Sequence, residues 1–201
     1  MQTWFDNNLR DVERDLSDMG RRQMPFVISV ALNDTATDIQ KNETKRLSRK
    51  LDRPTPFTKR AWAVRRSSKR RLTARVYARP IQARYLSVLE DGGTRTPKRR
   101  ALVTPANIRL NKYGNMARGG VKRAAAAKNT FSGTPNGHRG GPGIYKRTGR
   151  NKKLVKLVSF VKRARYRKRL GFETSAEQTA MRRFPHHFER ALLKAWKTRR
   201  R

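Results

Sequence analysis

The chain has 201 residues, with 51 Lys and Arg against 14 Asp and Glu, for a formal net charge of +37. A charge of that size repels itself, so the compact state gains from a polyanionic partner, nucleic acid first of all. The absence of cysteine excludes disulfides, thiolate zinc sites and a thiol nucleophile, and no stretch approaches the ~20 apolar residues that would span a bilayer.

Hydrophobic residues make up 35% of the chain. This is less than the ~45–50% of a typical globular protein, so a packed core is available to about two thirds of it. The whole reads as one α+β domain over 1–201, with a helical N-terminal part (1–52), a long basic loop or arm (106–143) and a C-terminal helix (173–199).

Residues 1–52 carry nine of the 14 acids. Phe5, Leu9, Val12, Leu16 and Met19 step by four and three, which defines one face of an amphipathic helix, with Thr3 placed to cap it. The acidic, amphipathic opening does not have the form of a secretory signal, so the chain is expected to be made in the cytoplasm. Gly20 marks an end or a kink, and Pro25 suits the first turn of a second helix running to about Leu51.

"RPTP" at 53–56 breaks that pattern. A short helix over "FTKRAWAVRR" is expected next, with Phe57, Ala61 and Trp62 facing inward. "RLTARVYARPI" alternates, with Leu72, Ala74, Val76 and Ala78 on one side, and predicts a strand ended by Pro80. "QARYLSVLEDGG" predicts a short helix closed by glycine, with a strand over Tyr85–Leu89 as the alternative. Residues 106–143 hold eight of the 13 glycines, which is the basis for expecting a loop or arm there rather than regular structure. Two strands, Gly143–Arg147 and Leu154–Val161, form a hairpin about a turn at 149–151, and a third strand is expected at Ala164–Tyr166. The last segment is helical, with Ala176, Ala180, Phe184, Phe188, Leu192 and Trp196 spaced by four on its inward face and Pro185 at a kink or a second start.

The most informative feature is a charge boundary. After Glu90 and Asp91 no acid occurs until Glu173, and from Gly92 to Phe172 there are 23 Lys and Arg. Solubility alone works with mixed signs. Lys98, Arg99, Arg100, Arg109, Lys112, Arg118, Lys122, Arg123, Lys128 and Arg139, set among glycines and alanines with Tyr113 and Phe131, therefore read as a surface that tracks phosphates. No zinc-finger, RNA-recognition or basic-zipper signature accompanies them, so the expected contact is blind to base sequence. A second run, "KRARYRKR" at 162–169, fits DNA contact or an edge strand charged against aggregation.

Catalysis finds little footing. Adjacent His186 and His187 diverge by about 100° on a helix, which suits a helix surface or core edge better than a metal site. Convergent carboxylates for a divalent cation are missing, since Glu90–Asp91 is the one close pair beyond the N-terminal part. No "GxSxG" occurs. The protein is expected to be no enzyme and to need no metal or cofactor. Trp4, Trp62 and Trp196 sit at apolar helical positions and are expected in core packing or subunit contacts.

Glu90, Gly92, Gly93 and Thr94 resemble the acid–x–Gly–Thr turn of small tail-completion and neck proteins of tailed bacteriophages, with one extra residue in the spacing. The order of elements, and the segments "FVISVALNDTATDI", "KRAWAVRRSSKRRLTARV" and "GRNKKLVKLVSFVKRARY", are most similar to the minor tail protein Z family of lambda-type phages. The glycine-rich arm departs from that pattern. The resemblance implies an α+β virion protein of the neck or upper tail, present in the host cytoplasm during assembly. It also implies a homo-oligomeric ring of six or twelve copies between the head connector or portal side and the tail tube or terminator. Double-stranded DNA would pass through its channel. On this reading Phe5, Leu9, Glu90, Asp91 and Thr94 belong to subunit contacts and the acid-free stretch faces DNA. The alternative is a ribosomal-type RNA-binding protein with a basic extension; a histone-like condensing protein and a nuclease come after it.

Overall fold

The computed structural model describes residue 20 and residues 23–136 and 140–198. The expected first helix, with Phe5, Leu9 and Trp4, and the expected phosphate contact Arg139 lie outside the described residues. The architecture is α+β, and where one domain was expected the chain divides into two compact units. The first comprises 1–47, 57–83 and 171–201; the second comprises 48–56 and 84–170. Each has its own core, one made by helices and the other by a sheet.

Two long helices frame the first unit, α1 (Met24–Lys50) and α5 (Phe172–Lys197), with a short α2 (Pro56–Lys59) between them in sequence. Their contacts run in opposite order along the chain. Val27 packs with Ala191 and Ala195, Asp34 meets Arg190, Asp38 meets His187, and Asn42 meets Thr179. The helices are therefore antiparallel, and their seam is largely polar.

Pro185 lies inside one continuous α5. The buried positions of α5 are Ser175, Thr179, His187, Ala191 and Ala195, one residue back from the expected apolar stripe and so about 100° around the helix. Of the apolar stripe, Phe188 and Leu192 pack half-buried against the Val27–Ala191–Ala195 cluster, while Ala176, Ala180 and Phe184 line an open groove of about 590 Å³ with Leu32 and Ile39 of α1, where Met181 is 68% exposed. Trp196, expected to pack, is mostly exposed.

A hairpin of β1 (Trp62–Arg65) and β2 (Arg75–Ala78) lies on α1. Trp62 falls in a strand rather than in the expected helix, which stops at Lys59, and Phe57 is exposed. The cause is tertiary. Trp62 stacks on Phe172 at 4.3 Å, and its carbonyl accepts from Gln40 at 2.8 Å, contacts that a helix over 57–66 would forgo. The alternation of β2 is as expected, with Val76 and Ala78 inward, but Leu72 lies outside it and is exposed.

In the second unit, the end of α3 (Pro80–Asp91) leads to β3 (Gly93–Arg95), β4 (Leu102–Pro105), α4 (Gly120–Ala126), β5 (Thr130–Gly133), β6 (Gly143–Thr148), β7 (Lys153–Val161) and β8 (Ala164–Tyr166). An antiparallel sheet has the order β4–β7–β6–β5, and β3 pairs with β8 as a separate two-stranded ribbon. The sheet core is Ile144, Tyr145 and Val158. Consecutive Ile144 and Tyr145 are both buried because a bulge between them breaks the alternation of the strand.

Residues 106–143 are not the unstructured arm expected from their glycines, because they contain α4 and β5. Four consecutive alanines, Ala124–Ala127, favour helix where no bulky side chain is needed. Phe131 supplies the apolar anchor of β5, stacking on Tyr145 at 5.7 Å. The loop before α4 is also fixed. Asn111 Oδ1 accepts from the N–H groups of Tyr113 (2.9 Å) and Asn115 (3.0 Å), a side-chain turn that orders the polar stretch.

Candidate nucleic-acid interface

The second unit concentrates positive charge. Over its residues the sequence places 27 Lys and Arg against three acids, whereas the first unit has 24 against 11. Nine of the ten expected phosphate contacts fall on described residues, and all nine are exposed. Lys98, Arg99 and Arg100 lie between β3 and β4, and Arg109, Lys112 and Arg118 between β4 and α4. Lys122 and Arg123 are on α4, and Lys128 is in the turn before β5. The structure thus spreads them over several elements rather than along one arm.

Two concavities gather part of this charge. Arg99 and Arg100 share one of about 870 Å³ with Val103 of β4, Phe160 of β7, and Ser132 and Gly133 of β5. Small residues on the rim leave room beside an aromatic ring, the combination that suits a phosphate with its attached sugar or base. Gly143, on the neighbouring strand, is dictated by packing: a Cβ there would lie 2.2 Å from the Val158 carbonyl oxygen.

The second concavity, about 780 Å³, is formed by Gly93, Thr94, Arg165, Tyr166, Arg167 and Lys168. It depends on the acid–glycine turn. Glu90 and Asp91 end α3, and Gly92, at φ +73°, makes the left-handed exit for which glycine is preferred. The Leu89 carbonyl then accepts from the N–H groups of Arg169 (2.8 Å) and Leu170 (3.2 Å), which ties the end of α3 to the chain leaving β8. Thr94 pairs with Arg165 in the β3–β8 register, so the two share a face of the ribbon. Thr94, expected in a subunit contact, therefore lies among cations. The run at 162–169 was legible as charge, but its pairing with β3 across about 70 residues leaves no local trace in the sequence.

Aromatic rings elsewhere in this unit carry cations. The Arg147 guanidinium lies 5.0 Å from the centre of the Phe131 ring, and Lys112 Nζ 5.3 Å from that of Tyr113. Such stacking holds long side chains at fixed places on the surface.

The carboxylates of the first unit do different work. Asp38 Oδ2 accepts from Arg183 Nε at 2.7 Å and from His187 Nε2 at 2.8 Å. Arg190 Nη2 donates to His187 Nδ1 at 3.1 Å and to Asp34 at 2.7 Å. Because the guanidinium can only donate, Nδ1 is the acceptor and the ring proton sits on Nε2, facing Asp38. Burial pushes the Asp38 carboxyl up, but the hydrogen bonds from His187 and Arg183 and the charge of Arg183 outweigh it and hold the group below its ordinary value of 3.8. His187, 5% exposed, is thus a helix-packing residue. Among the described residues no group of three or more His, Asp or Glu side chains could hold a metal ion, and no helix is long and apolar enough to cross a membrane.

No family model, curated protein or solved structure matches this chain.

Proposed function

We propose that the protein is a structural virion component of a tailed phage, a neck or tail-completion subunit that joins the head connector to the tail. In this role it assembles as a homo-oligomeric ring of six or twelve copies and contacts double-stranded DNA in the channel without reading its sequence. It has no catalytic function in this reading, which places it in the host cytoplasm during assembly and in the virion neck or upper tail afterwards.

The observation that carries the proposal is the division of charge between the units. One holds the mixed-charge, hydrogen-bonded helices suited to contacts with neighbouring subunits. The other has 27 cations, three acids and two concave basic surfaces suited to a polyanion. A ring around DNA needs both kinds of surface, and its DNA-facing side needs no base-specific groups.

The test is where the native protein resides. Its peptides are quantified by mass spectrometry in nuclease-treated, gradient-purified virions and in the ribosomal fraction of the producing cells. A fixed copy number per virion at a multiple of six is the expected result. One copy per ribosome would replace this reading with a ribosomal-type RNA-binding role.

A further inference from the structure

The first unit has a basic surface of its own. From Phe57 to Ala83 the sequence contains nine Lys and Arg and no acid, and much of that charge lies on the β1–β2 hairpin and the segment "RRSSKRR" that leads out of β1. The register places Arg65 directly opposite Arg75, and Ala63 opposite Tyr77. Directly paired residues of an antiparallel ribbon share a face, so Arg65, Arg75 and Tyr77 lie on the outer side while Val64 and Val76 face inward. Like charges at directly opposed positions oppose pairing, yet the two strands pair through this position.

The link between the strands is held rather than free. The Asn33 side chain grips Ser67 in both directions, accepting from its N–H at 2.8 Å and donating to its carbonyl at 3.2 Å. Ser67 Oγ also meets Ser29 Oγ at 2.9 Å and the Ser29 carbonyl at 3.0 Å. Ser68 and Arg71 exchange backbone hydrogen bonds of 2.9 and 3.0 Å. Lys69 is drawn toward the Phe26 ring at 5.2 Å. With Ser67 buried, the tip presents Arg66, Arg70 and Arg71 to solvent on a fixed backbone. Among the described residues no carboxylate pairs with Arg65, Arg66, Arg70, Arg71 or Arg75.

We infer that the outer face and tip of this hairpin form a second nucleic-acid-binding surface, which takes the sugar–phosphate backbone. Phosphates seated between Arg65 and Arg75 and along the tip convert an unfavourable row of like charges into charge-assisted hydrogen bonds. A fixed backbone lowers the entropy that the long side chains forfeit on binding. Tyr77, 46% exposed beside Arg75, offers a ring to a base or sugar. A two-stranded ribbon is also narrow enough to enter the major groove of a duplex. The inference goes beyond the functional reading above, which assigns DNA contact to the other unit.

The test uses the full chain and a fluorescent mixed-sequence duplex, with binding followed by anisotropy over a range of salt. For R65Q/R70Q/R75Q the slope of log affinity against log salt is expected to fall by about three, close to 0.9 for each phosphate left without its arginine. The lysine version, R65K/R70K/R75K, keeps most of the slope, and circular dichroism verifies that both variants are folded. A separate variant of the second unit, K122Q/R123Q/K128Q, distinguishes the two claims. If the glutamine hairpin variant keeps the full slope while the second-unit variant loses part of it, the hairpin inference is overturned and the proposed function stands. If the hairpin variant loses self-association with its slope unchanged, the surface serves another subunit and the inference likewise fails. A wild-type chain without salt-dependent binding would remove both.

Discussion

His187 and Asp38 meet across the α1–α5 seam with Nε2 and Oδ2 2.8 Å apart, and Arg190 fixes the ring from its other nitrogen. This relationship makes Asp38 the polar centre of the first unit. Replacing it with Asn removes the charge while keeping the shape, and should destabilise the protein by about 1–3 kcal/mol at neutral pH, the range for hydrogen bonds to charged groups, tempered by the partial exposure of Arg183. Because the folded-state carboxyl titrates below its ordinary value of 3.8, its contribution is present above that value and disappears as pH falls through the lower folded-state value. Urea unfolding of wild type and D38N across the acid range should therefore converge at the lowest pH. A constant difference at every pH would show that the charge is not what stabilises the seam.

Asn33→Ala should loosen the hairpin tip without dissolving the helices. It removes two hydrogen bonds to Ser67, at 2.8 and 3.2 Å, for a cost of about 1–3 kcal/mol. Hydrogen exchange should quicken over residues 65–75 and remain slow in the buried part of α1. Uniform acceleration across the first unit would assign Asn33 a global role instead.

Gly143→Ala should be among the most damaging single substitutions in the second unit. The added methyl would lie 2.2 Å from the Val158 oxygen, a backbone atom that cannot move without disturbing the β6–β7 pairing. A loss of about 1–3 kcal/mol or more is expected. Gly120→Ala, in the first turn of α4 with its nearest neighbour at 3.9 Å, is the control and should be tolerated. Thermal melts of the two variants should separate clearly.

Replacing Lys122, Arg123 and Lys128 together with Gln should weaken binding to duplex DNA and leave the melting temperature near that of wild type, because all three are exposed. A lowered melt with unchanged DNA affinity would make these residues structural.

Much of the local structure was legible in the sequence. The helix closed by Gly92, the hairpin about 149–151 and the strand at Ala164–Tyr166 all follow from alternation and turn chemistry. Failures arose where long-range partners decide. The apolar stripe of α5 borders the seam instead of centring on it because Asp34, Asp38 and Asn42 of α1 select Arg190, His187 and Thr179 through hydrogen bonds, which hydrophobic spacing cannot register. Trp62 became a strand residue because Phe172, 110 positions later, supplies its stacking surface. The glycine-rich stretch concealed α4 and β5, since glycine count reports permissiveness and not the anchors, Asn111 and Phe131, that fix the chain. Nine of the cations expected to meet phosphate are exposed, but only Arg99 and Arg100 line a concavity, formed with β4, β5 and β7, while the other concavity draws its cations from the 162–169 run through the β3–β8 register.

The separation of α1 from α5 also governs the order of events during synthesis. Between Lys50 and Phe172 lie the β1–β2 hairpin and nearly all of the second unit, roughly 120 residues that occupy the ribosome for about 6–25 s at ordinary rates. Throughout that interval Asp34, Asp38 and Asn42 have been made but their partners have not. The inserted sheet is free to fold first, from neighbouring strands, and α1 completes its packing last. A nascent chain arrested before residue 172 should accordingly protect the β6–β7 hairpin from protease while α1 remains open to cleavage.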